Sequence, residues 1–461
     1  MLRGKEYRET LAGKKVLVVG LGKSGKAATR VLNEEGATVY VQDSSTSDRL
    51  DTQFLKYMDN EGIAAFLGSE PDDMSIYDML VLSPGVPSDL AFIKEAEKQG
   101  AEIIGEIELA YRISEGNFVA ITGTNGKTTT TSLVGKIFED AGFKTSIVGN
   151  IGNPVVTHAE ETTSEDWLIT EASSFQLETI KTFRPRLATV LNITPDHLNR
   201  HKTMEAYAAA KANVMMNQKD DDSFIYNADD ETVRRIASNA KGRTISFSMK
   251  GGSEPGAYLD DSKVIVRDAD GQEYTICDTD DIRIIGDHNI ENVLAASAIA
   301  FFAGIEVEVI SASVKEFAGV EHRIEFCGKV DEVEYYNDSK GTNTDAAIIA
   351  LKALEKDIIL IAGGDAKNQD FDEFAAALEG RVHALILLGR DADIIEEAAK
   401  RYGFTDIYRC KDMPECVRKA SELAKPGDKV LLSPACASWD MYDNFEQRGR
   451  HFKSCIKELL R

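Results

Sequence analysis

A short apolar run followed by a glycine-containing turn and a helical segment occurs three times along the chain. The stretches are residues 15–36 (KVLVVGLGKSGKAATRVLNEEG), 118–134 (FVAITGTNGKTTTTSLV) and 357–378 (DIILIAGGDAKNQDFDEFAAAL). Apolar runs of this length are typical of buried strands, and the order strand, turn, helix is typical of parallel α/β sheets. The pattern therefore predicts an α/β protein with three sheet-containing segments.

The three starts divide the chain into thirds, which we predict to be domains at residues 1–105, 106–319 and 320–461. A chain of 461 residues exceeds one typical core, since domains span about 100–200 residues. Each domain is expected to hold a mostly parallel sheet flanked by helices: Rossmann-like at both ends and P-loop ATPase-like in the centre. The middle third also contains a stretch predicted to be β-rich, at 244–286.

The second occurrence carries a shortened phosphate loop, GTNGKT at residues 123–128. Only two residues separate its glycines, where the standard loop has four, and Lys127-Thr128 opens the helix. Backbone N–H groups at a helix N-terminus attract phosphate, lysine adds a point charge, and a threonine hydroxyl can hold Mg²⁺. An ordinary glycine-rich turn is the alternative, but Gly-Lys-Thr directly after an apolar strand favours phosphate binding.

The first third begins with a dinucleotide-binding fingerprint. Gly20, Gly22 and Gly25 follow the first apolar run in G-x-G-x-x-G spacing, and Asp43 ends the next run. An NAD-dependent dehydrogenase fits this pattern, but so does a UDP-linked ligand, because the fingerprint reports only a pyrophosphate at a helix N-terminus. The turn LVLSPGVP (80–87) offers polar groups to the same cleft, although an ordinary strand-end turn is an equal alternative there.

Three further apolar runs in the middle third end in polar side chains: Asn150, Glu171 and the Asp196-His197 pair. The carboxyl ends of parallel strands gather in one crevice, so Glu171 and His197 are predicted to meet a metal ion held by Thr128. Taken singly, each side chain would be structural. Lys211, in the helical stretch TMEAYAAAKANVMM, taken alone resembles a solvated lysine.

The last third concentrates polar and charged residues in loops that follow apolar runs. Any one of them alone fits a solvated loop, but together they fit an anion-binding face. The candidates are Arg323, Asp338, Lys340, Thr342, Lys367, Ser438 and Phe445.

Composition narrows the function classes. The net charge of −24 leaves no broad basic surface for nucleic acid. The six cysteines are scattered without a C-x-x-C pair, which indicates free thiols in a reducing compartment. Neither a signal-peptide pattern nor an apolar run of about 18 residues is found, so we expect a cytoplasmic protein without membrane insertion.

Taken together, the motifs resemble the Mur ligase family of peptidoglycan synthesis over nearly the whole chain. The resemblance rests on GLGKSG, SPGVP, TGTNGKTTT, GNIG, EASSFQLE, NITPDHLNRH, GDHNIENVLAA, HRIE, NDSKGTN, GGDAKNQDF and SPACASWDMYDNFEQRG. The phosphate loop is shared with folate polyglutamate synthases, whereas NDSKGTN and SPACASWD are similar to the branch that adds D-glutamate. Ser45 departs from the pattern, since some members carry an arginine two residues after the position of Asp43.

The resemblance implies an ATP-dependent amide ligase that adds D-glutamate to UDP-N-acetylmuramoyl-L-alanine during cell wall biogenesis, and hence serves cell shape and division. The three domains would bind the UDP substrate, ATP, and the amino acid with the nucleotide; the last would close over ATP. The implied cofactors are ATP, two Mg²⁺ ions and a carbamylated lysine at Lys211. The implied partners are the two small-molecule substrates, without nucleic acid or membrane, and a monomer is expected.

The resemblance also assigns roles to the candidate residues. For the UDP substrate it implies Gly22, Lys23, Ser24, Asp43, Ser83, Pro84, Gly85, Asn150 and His197. For ATP it implies Gly123, Thr124, Asn125, Gly126, Lys127, Thr128, Thr129, Asn289, Asn292, Arg323 and Asp338. D-Glutamate would contact Lys340, Thr342, Lys367, Ser438 and Phe445, and metal would contact Thr128, Glu171, His197 and carbamylated Lys211. Lys127, His197, Lys211 and Lys340 would be catalytic.

Three alternatives stay open at the level of sequence. A folate polyglutamate synthase typically lacks a UDP-binding first domain, so GLGKSG opposes it. An NAD-dependent dehydrogenase with an added nucleotide domain would bind and reduce NAD. A non-catalytic ATP-driven switch is opposed by the set Lys127, Glu171, His197 and Lys211, and phosphate release that depends on both substrates would exclude it.

Overall fold

The computed structural model describes residues 2–252, 254–366 and 369–459. The chain forms two compact units, Met1–Asp281 with Ile290–Lys315 and Ile282–Asn289 with Glu316–Arg461. The first unit contains two sheets and the second contains one. The three mostly parallel sheets flanked by helices confirm the predicted fold class, while the domain boundaries after residues 105 and 319 stay predictions.

The first sheet is built from five parallel strands. They are β1 (Lys15–Val19), β2 (Thr38–Asp43), β3 (Ala64–Leu67), β4 (Met79–Leu82) and β5 (Glu102–Gly105), in the order β3-β2-β1-β4-β5. The accompanying helices are α1 (Lys5–Arg8), α2 (Lys23–Glu34), α3 (Thr52–Glu61), α4 (Ala91–Lys98) and α5 (Glu106–Ile113). Four of the five β1 residues are buried, as expected for a parallel strand covered on both faces.

The central sheet has nine strands. They are β6 (Asn117–Thr122), β7 (Thr145–Gly149), β8 (Trp167–Glu171), β9 (Leu187–Val190), β10 (Ser223–Asn227), β11 (Arg243–Ser248), β12 (Gly256–Asp260), β13 (Lys263–Arg267) and β14 (Glu273–Asp278). The order is β14-β13-β12-β11-β10-β9-β6-β8-β7, parallel from β7 to β12 and antiparallel beyond. Strands β11 to β14 confirm the predicted β-rich stretch.

Eight helices accompany the central sheet in the described part of the chain. They are α6 (Lys127–Asp140), α7 (Val156–Ala159), α8 (Ser174–Leu177), α9 (Leu198–His201), α10 (Met204–Ala212), α11 (Glu231–Ala237), α12 (Asp287–Phe302) and α13 (Val307–Glu316). One apolar cluster runs from the first sheet through α5 into the central sheet, and includes Val16, Ile107 and Phe118. The first unit therefore packs its two sheets around a shared core.

The third sheet lies in the second unit. Its strands are β15 (Glu325–Val330), β16 (Val333–Asn337), β17 (Ile358–Ala362), β18 (Val382–Leu387), β19 (Ile407–Arg409) and β20 (Lys429–Leu432). The order is β15-β16-β20-β17-β18-β19, with only the β15–β16 pair antiparallel. The helices are α14 (Thr344–Leu354), α15 (Asp372–Ala377), α16 (Ala392–Arg401), α17 (Met413–Leu423) and α18 (Phe445–Leu459).

Alternation along β17 shows why this strand is apolar throughout. Ile358 and Leu360 pack into the apolar cluster on one face, and Ile359 and Ile361 pack into the cluster on the other. Both faces are covered, so the strand has no polar position. Among the helices of the described residues, none is both long and apolar enough to cross a membrane.

Candidate functional site

The phosphate loop joins the end of β6 to the start of α6. Gly126 precedes the helix with φ of +83°, a left-handed conformation that favours glycine. A Cβ there would also lie 2.2 Å from Oδ1 of Asn292, so no side chain fits. That Oδ1 accepts a hydrogen bond of 3.2 Å from the Thr130 hydroxyl. The structure thus brings Asn292, a predicted ATP residue, against the loop.

A second asparagine holds the other side of the loop. Oδ1 of Asn192 accepts a 2.8 Å bond from the Asn125 N–H, and its Nδ2 donates to the Asn125 carbonyl at 3.2 Å. The Thr124 hydroxyl shares a 3.2 Å hydrogen bond with the Tyr207 hydroxyl. Because the loop backbone is fixed from both sides, its geometry is set before any ligand arrives.

Two lysines converge on one carbonyl of the loop. Nζ of Lys127 donates to the Gly123 carbonyl at 3.0 Å and to the Thr124 carbonyl at 2.7 Å, and Nζ of Lys211 donates to the Gly123 carbonyl at 2.7 Å. Lys211 is only 2% exposed, and its Nζ lies 4.7 Å from the Tyr207 ring centre. Burial, with the nearby charge of Lys127, lowers the pKa of Lys211 to about 6. The local sequence suggests that Lys211 is exposed to solvent. That interpretation is wrong, because α10 packs onto the loop.

Glu171 ends β8 beside the loop and is 2% exposed. Its Oε1 accepts a 2.8 Å bond from Nδ2 of Asn150, so two predicted site residues meet. Its Oε2 is buried without a hydrogen-bond partner among the described residues. Thr128 and Thr129 are also buried, at the start of α6. A buried carboxylate oxygen lacking a donor is costly by itself, and it is a ligand type that Mg²⁺ prefers, so the residues present fit this ion.

His197 is exposed and adopts a left-handed conformation, with φ of +52°. Its Nε2 lies 3.4 Å from Oδ2 of Asp196, and its ring centre lies 4.9 Å from that of Phe175. Within the described contacts it does not reach Glu171, so joint metal binding by this pair stays a prediction. His201, one turn on, is buried, and its Nε2 shares a 3.0 Å hydrogen bond with the Ser174 hydroxyl.

The fingerprint loop of the first sheet is held by two predicted residues. Oδ2 of Asp43 accepts a 2.6 Å bond from the Leu21 N–H, and the Ser83 hydroxyl donates to the Gly20 carbonyl at 2.7 Å. A Cβ at Gly25 would lie 1.8 Å from that carbonyl oxygen, so the third glycine is required. Oδ1 of Asp43 accepts from the Ser45 N–H at 2.8 Å.

The polar positions around this loop lie where a pyrophosphate could be bound. Gly22 precedes α2, so Lys23 and Ser24 occupy its first turn. Ser83 and Pro84 of the SPG turn, with Phe175 of α8, line a cavity of about 10 Å³. The first unit therefore brings predicted UDP-substrate residues next to the helix that follows β8.

In the second unit Asp338, Lys340 and Thr342 follow the end of β16, Ser438 and Phe445 follow β20, and Arg323 lies just before β15. Asp338 is 4% exposed, and its Oδ2 accepts a 2.7 Å bond from the Ser433 hydroxyl. Burial raises the pKa of Asp338 to about 7, against the attraction of Arg323. The Lys340 N–H donates to the His322 carbonyl, and the Thr342 N–H donates to the Lys340 carbonyl.

Arg448 connects the loops that carry the remaining candidates. It is 2% exposed and donates from Nε to the Ser339 hydroxyl (3.0 Å) and from Nη2 to the Ser339 and Cys436 carbonyls (2.9 and 3.1 Å). The Ser339 hydroxyl donates to the Phe445 carbonyl at 2.8 Å, and Ser438 is buried two residues beyond Cys436.

Elsewhere in this unit, Asn289 is buried and donates from Nδ2 to the Ile285 carbonyl. Lys367 lies outside the described residues.

Comparison with known proteins adds an independent observation. Three family models match: Mur ligase MurD-like, N-terminal domain, at residues 14–105; Mur ligase middle domain, at 121–300; and Mur ligase, glutamate ligase domain, at 322–436. The chain is 46% identical over 454 residues to UDP-N-acetylmuramoylalanine--D-glutamate ligase of Alkaliphilus metalliredigens, covering 98% of this chain and 99% of that one. It is 48% identical over 450 residues to the ligase of the same name from Clostridioides difficile, covering 97% and 99%.

The chain belongs to the Mur ligase family. Solved structures agree with this Mur ligase in fold. UDP-N-acetylmuramate-alanine ligase MurC from Thermotoga maritima superposes with a TM-score of 0.60 at 19% identity, covering 96% of this chain and 99% of that one. MurF ligase from the same organism, in complex with ADP, gives 0.59 at 15% identity, covering 99% and 98%.

Four residues that support the candidate site of this Mur ligase through hydrogen bonds were missed from sequence: Asn192, His201, Tyr207 and Arg448. For Tyr207 a signal existed, because it lies four residues before Lys211 and so shares its face of α10. For Asn192 and Arg448 the local sequence holds no signal, since their partners are distant along the chain.

Proposed function

We propose that this chain is an ATP-dependent ligase that joins D-glutamate to UDP-N-acetylmuramoyl-L-alanine in cytoplasmic peptidoglycan precursor synthesis, acting as a monomer. The proposal is supported by relatives named UDP-N-acetylmuramoylalanine--D-glutamate ligase, to which the chain is 44–48% identical. Its principal structural support is the meeting of Lys127, Lys211 and the phosphate loop at the Gly123 carbonyl.

The chemistry requires an activated carboxylate. The L-alanine carboxylate is a poor acyl donor, because oxide is a poor leaving group. Transfer of the ATP γ-phosphoryl group to it gives an acyl phosphate and ADP. The D-glutamate amine then attacks the carbonyl carbon, inorganic phosphate leaves, and the amine loses a proton. In phosphoryl transfer between two anions the protein mainly neutralises charge and aligns the reactants.

Lys127 would supply a positive charge for the phosphates of ATP. In the structure its ammonium is satisfied by two neutral carbonyls, of Gly123 and Thr124. Phosphate oxygens are charged acceptors and form stronger hydrogen bonds, so ATP would draw Nζ onto its β- and γ-phosphates. The N–H groups of residues 123–129 would bind the same phosphates at the start of α6.

The residues that would hold Mg²⁺ lie on the same edge of the central sheet. Thr128 and Glu171 would hold one ion, and Glu171 with His197 would hold a second. When bound, Mg²⁺ neutralises negative charge on the reacting oxygens. Asn150 keeps Glu171 oriented through its 2.8 Å hydrogen bond.

Lys211 is proposed to be carbamylated. Its lowered pKa leaves the amine uncharged at neutral pH, and an uncharged amine can attack CO₂. The N–C bond forms, one C=O electron pair moves to oxygen, and the amine releases a proton. The resulting carbamate offers oxygen ligands to a metal ion. It would also place a negative charge beside the Lys127 ammonium and attract it.

The loops of the second unit are proposed to bind D-glutamate through Lys340, Thr342, Lys367, Ser438 and Phe445. Lysine ammonium groups would oppose the two carboxylates of the amino acid. Asn289, Arg323 and Asp338 are proposed to contact the nucleotide. Arg448, which ties the Ser339 and Cys436 backbones together, would hold Lys340 and Ser438 in place.

The test is phosphate release from ATP with UDP-N-acetylmuramoyl-L-alanine and one of four amino acids: D-glutamate, L-glutamate, D-aspartate or L-lysine. We expect release only when both substrates are present, and fastest with D-glutamate. Equal release with L-lysine, or release without the UDP substrate, would contradict the proposal. NAD serves as a control ligand that should neither bind nor be reduced.

Substitution of Lys367 tests the amino-acid site. Lys367→Ala should raise KM for D-glutamate by roughly 10- to 150-fold, since losing a charge-assisted bond to a bound carboxylate costs about 1.5–3 kcal/mol. KM for ATP should change far less. Steady-state kinetics with each substrate varied in turn measures both, and Lys352→Ala on α14 is a control lysine in the same unit. An equal rise for both ligands would place Lys367 on the nucleotide instead.

A further inference from the structure

A cavity of about 230 Å³ lies at the amino edge of the central sheet, opposite the phosphate loop. Strands β6, β9 and β10 run parallel, and the cavity is lined by residues at or just before their starts, including Asn117, Arg186 and Asp222. The phosphate loop follows the other end of β6. The cavity is therefore separate from the proposed active site.

Three arginines line this cavity, and one of them is already neutralised. Arg184 donates from Nε to Oδ2 of Asp222 at 2.5 Å, and its Nη2 bonds Asp221. The Asp222 side chain is 2% exposed, and its Oδ2 also accepts from the Lys219 N–H at 2.8 Å. Both aspartates of the lining are thus occupied by Arg184.

The other two arginines have neutral partners. Arg3 donates to the carbonyls of Tyr111 (3.0 Å) and Gly116 (2.9 Å), and Arg186 donates to Oδ1 of Asn117 (3.3 Å). Across residues 2–252, 254–366 and 369–459 neither forms an ion pair, although Glu115 attracts Arg3 from a longer distance. Burial, together with the charge of Arg184, lowers the pKa of Arg3. Two guanidinium groups thus face one cavity in a chain of net charge −24.

We propose that this cavity binds a small anion bearing phosphoryl or carboxylate groups, held by Arg3 and Arg186. A guanidinium presents paired N–H donors that match either group, and it stays charged throughout the physiological pH range. A bound anion would supply the charged partner that Arg3 and Arg186 do not have among the described residues. It would also connect the amino-terminal segment to the loop before β9.

Trp167 lies beside the cavity lining and can report on binding. The Arg186 guanidinium lies 5.9 Å from the ring centre of Trp167, at the start of β8. Tryptophan occurs twice in the chain, so Trp439→Phe leaves Trp167 as the single tryptophan. In this variant, inorganic phosphate and tricarballylate are titrated separately, with chloride keeping ionic strength constant, and Trp167 fluorescence is followed. We expect a saturable change with at least one probe, and the stronger of the two identifies the group preferred.

Substitutions assign the signal to the cavity. Arg3→Gln and Arg186→Gln should each weaken binding at least about tenfold, since each removes charge-assisted bonds. Arg234→Gln is the matched control, because Arg234 is an exposed arginine on α11 outside the cavity lining. Lys127→Ala should leave the affinity unchanged, since that lysine lies at the other edge of the sheet. Calorimetry with the same variants gives a readout independent of tryptophan.

Several outcomes would overturn the proposal. They are a change that does not saturate, affinities that are equal in Arg186→Gln and Arg234→Gln, or loss of the signal in Lys127→Ala. The last result would assign the phosphate to the loop at residues 123–128.

Discussion

Lys127→Ala is expected to lower acyl-phosphate formation by at least about 100- to 1,000-fold, the effect of removing one preorganised donor from developing negative charge. The loop would keep its shape, because Asn192 and Asn292 hold it independently of this lysine. The amides that remain supply no full positive charge. Enzyme, ATP, Mg²⁺ and the UDP substrate are incubated without D-glutamate. Borohydride then reduces the acyl phosphate to an alcohol, and the amount of alcohol is measured.

Lys136→Ala is the control for this experiment, since Lys136 lies on the same helix and pairs with Asp140 at 2.8 Å. It should trap acyl phosphate like the parent enzyme. Near-parental trapping in Lys127→Ala would remove Lys127 from its assigned role. Normal ATP binding with lost trapping would place its effect in the transfer step.

Lys211→Ala is expected to lose most of the activity and to regain part of it when acetate or another short carboxylate is added. The side chain is buried beside the Gly123 carbonyl, so its removal leaves a space in which a carboxylate can replace the carbamate oxygens. A loss of at least about 100-fold is expected, because a metal ligand and a charge partner of Lys127 disappear together. Initial rates with and without acetate measure both effects.

A second readout does not depend on activity. The parent protein in ¹³C-labelled bicarbonate should show one carbamate carbon signal by NMR, and the signal should be missing from Lys211→Ala. Lys219→Ala, which removes an exposed lysine shortly after α10, should keep both the signal and the rate. Full activity of Lys211→Ala without acetate, or a carbamate signal that survives in it, would return Lys211 to a purely structural role.

The parts of the fold that depend on local pattern could be predicted from sequence. Each apolar run with its glycine turn became a strand and a loop, because covered parallel strands need apolar residues on both faces. The phosphate loop could also be predicted, for a different reason. The left-handed conformation of Gly126 and the lack of space for a Cβ require glycine at that position.

Beyond the gathering of strand ends, contacts of single side chains between distant segments could not be predicted. Lys211 lies in an alanine-rich helix that would suit solvent equally well, and only the packing of α10 on the loop buries it. Asp43 matched a dinucleotide fingerprint, yet both of its oxygens accept N–H groups of the adjoining loops, so the pattern alone could not choose a ligand. Arg3 and Arg186 are far apart in sequence, and no local pattern relates them.

The apolar cluster that continues from β1 through α5 into β6 has a consequence for how this protein tolerates change. Helix α5 starts where β5 ends and contributes Ile107 to the same core as Val16 and Phe118. If either sheet of the first unit partly unfolds, apolar surface of the other sheet becomes exposed. A substitution that destabilises one sheet therefore destabilises the other as well. A substitution that destabilises the first sheet would therefore also lower the fraction of molecules with a folded phosphate loop. Selection on either ligand site would then act on both.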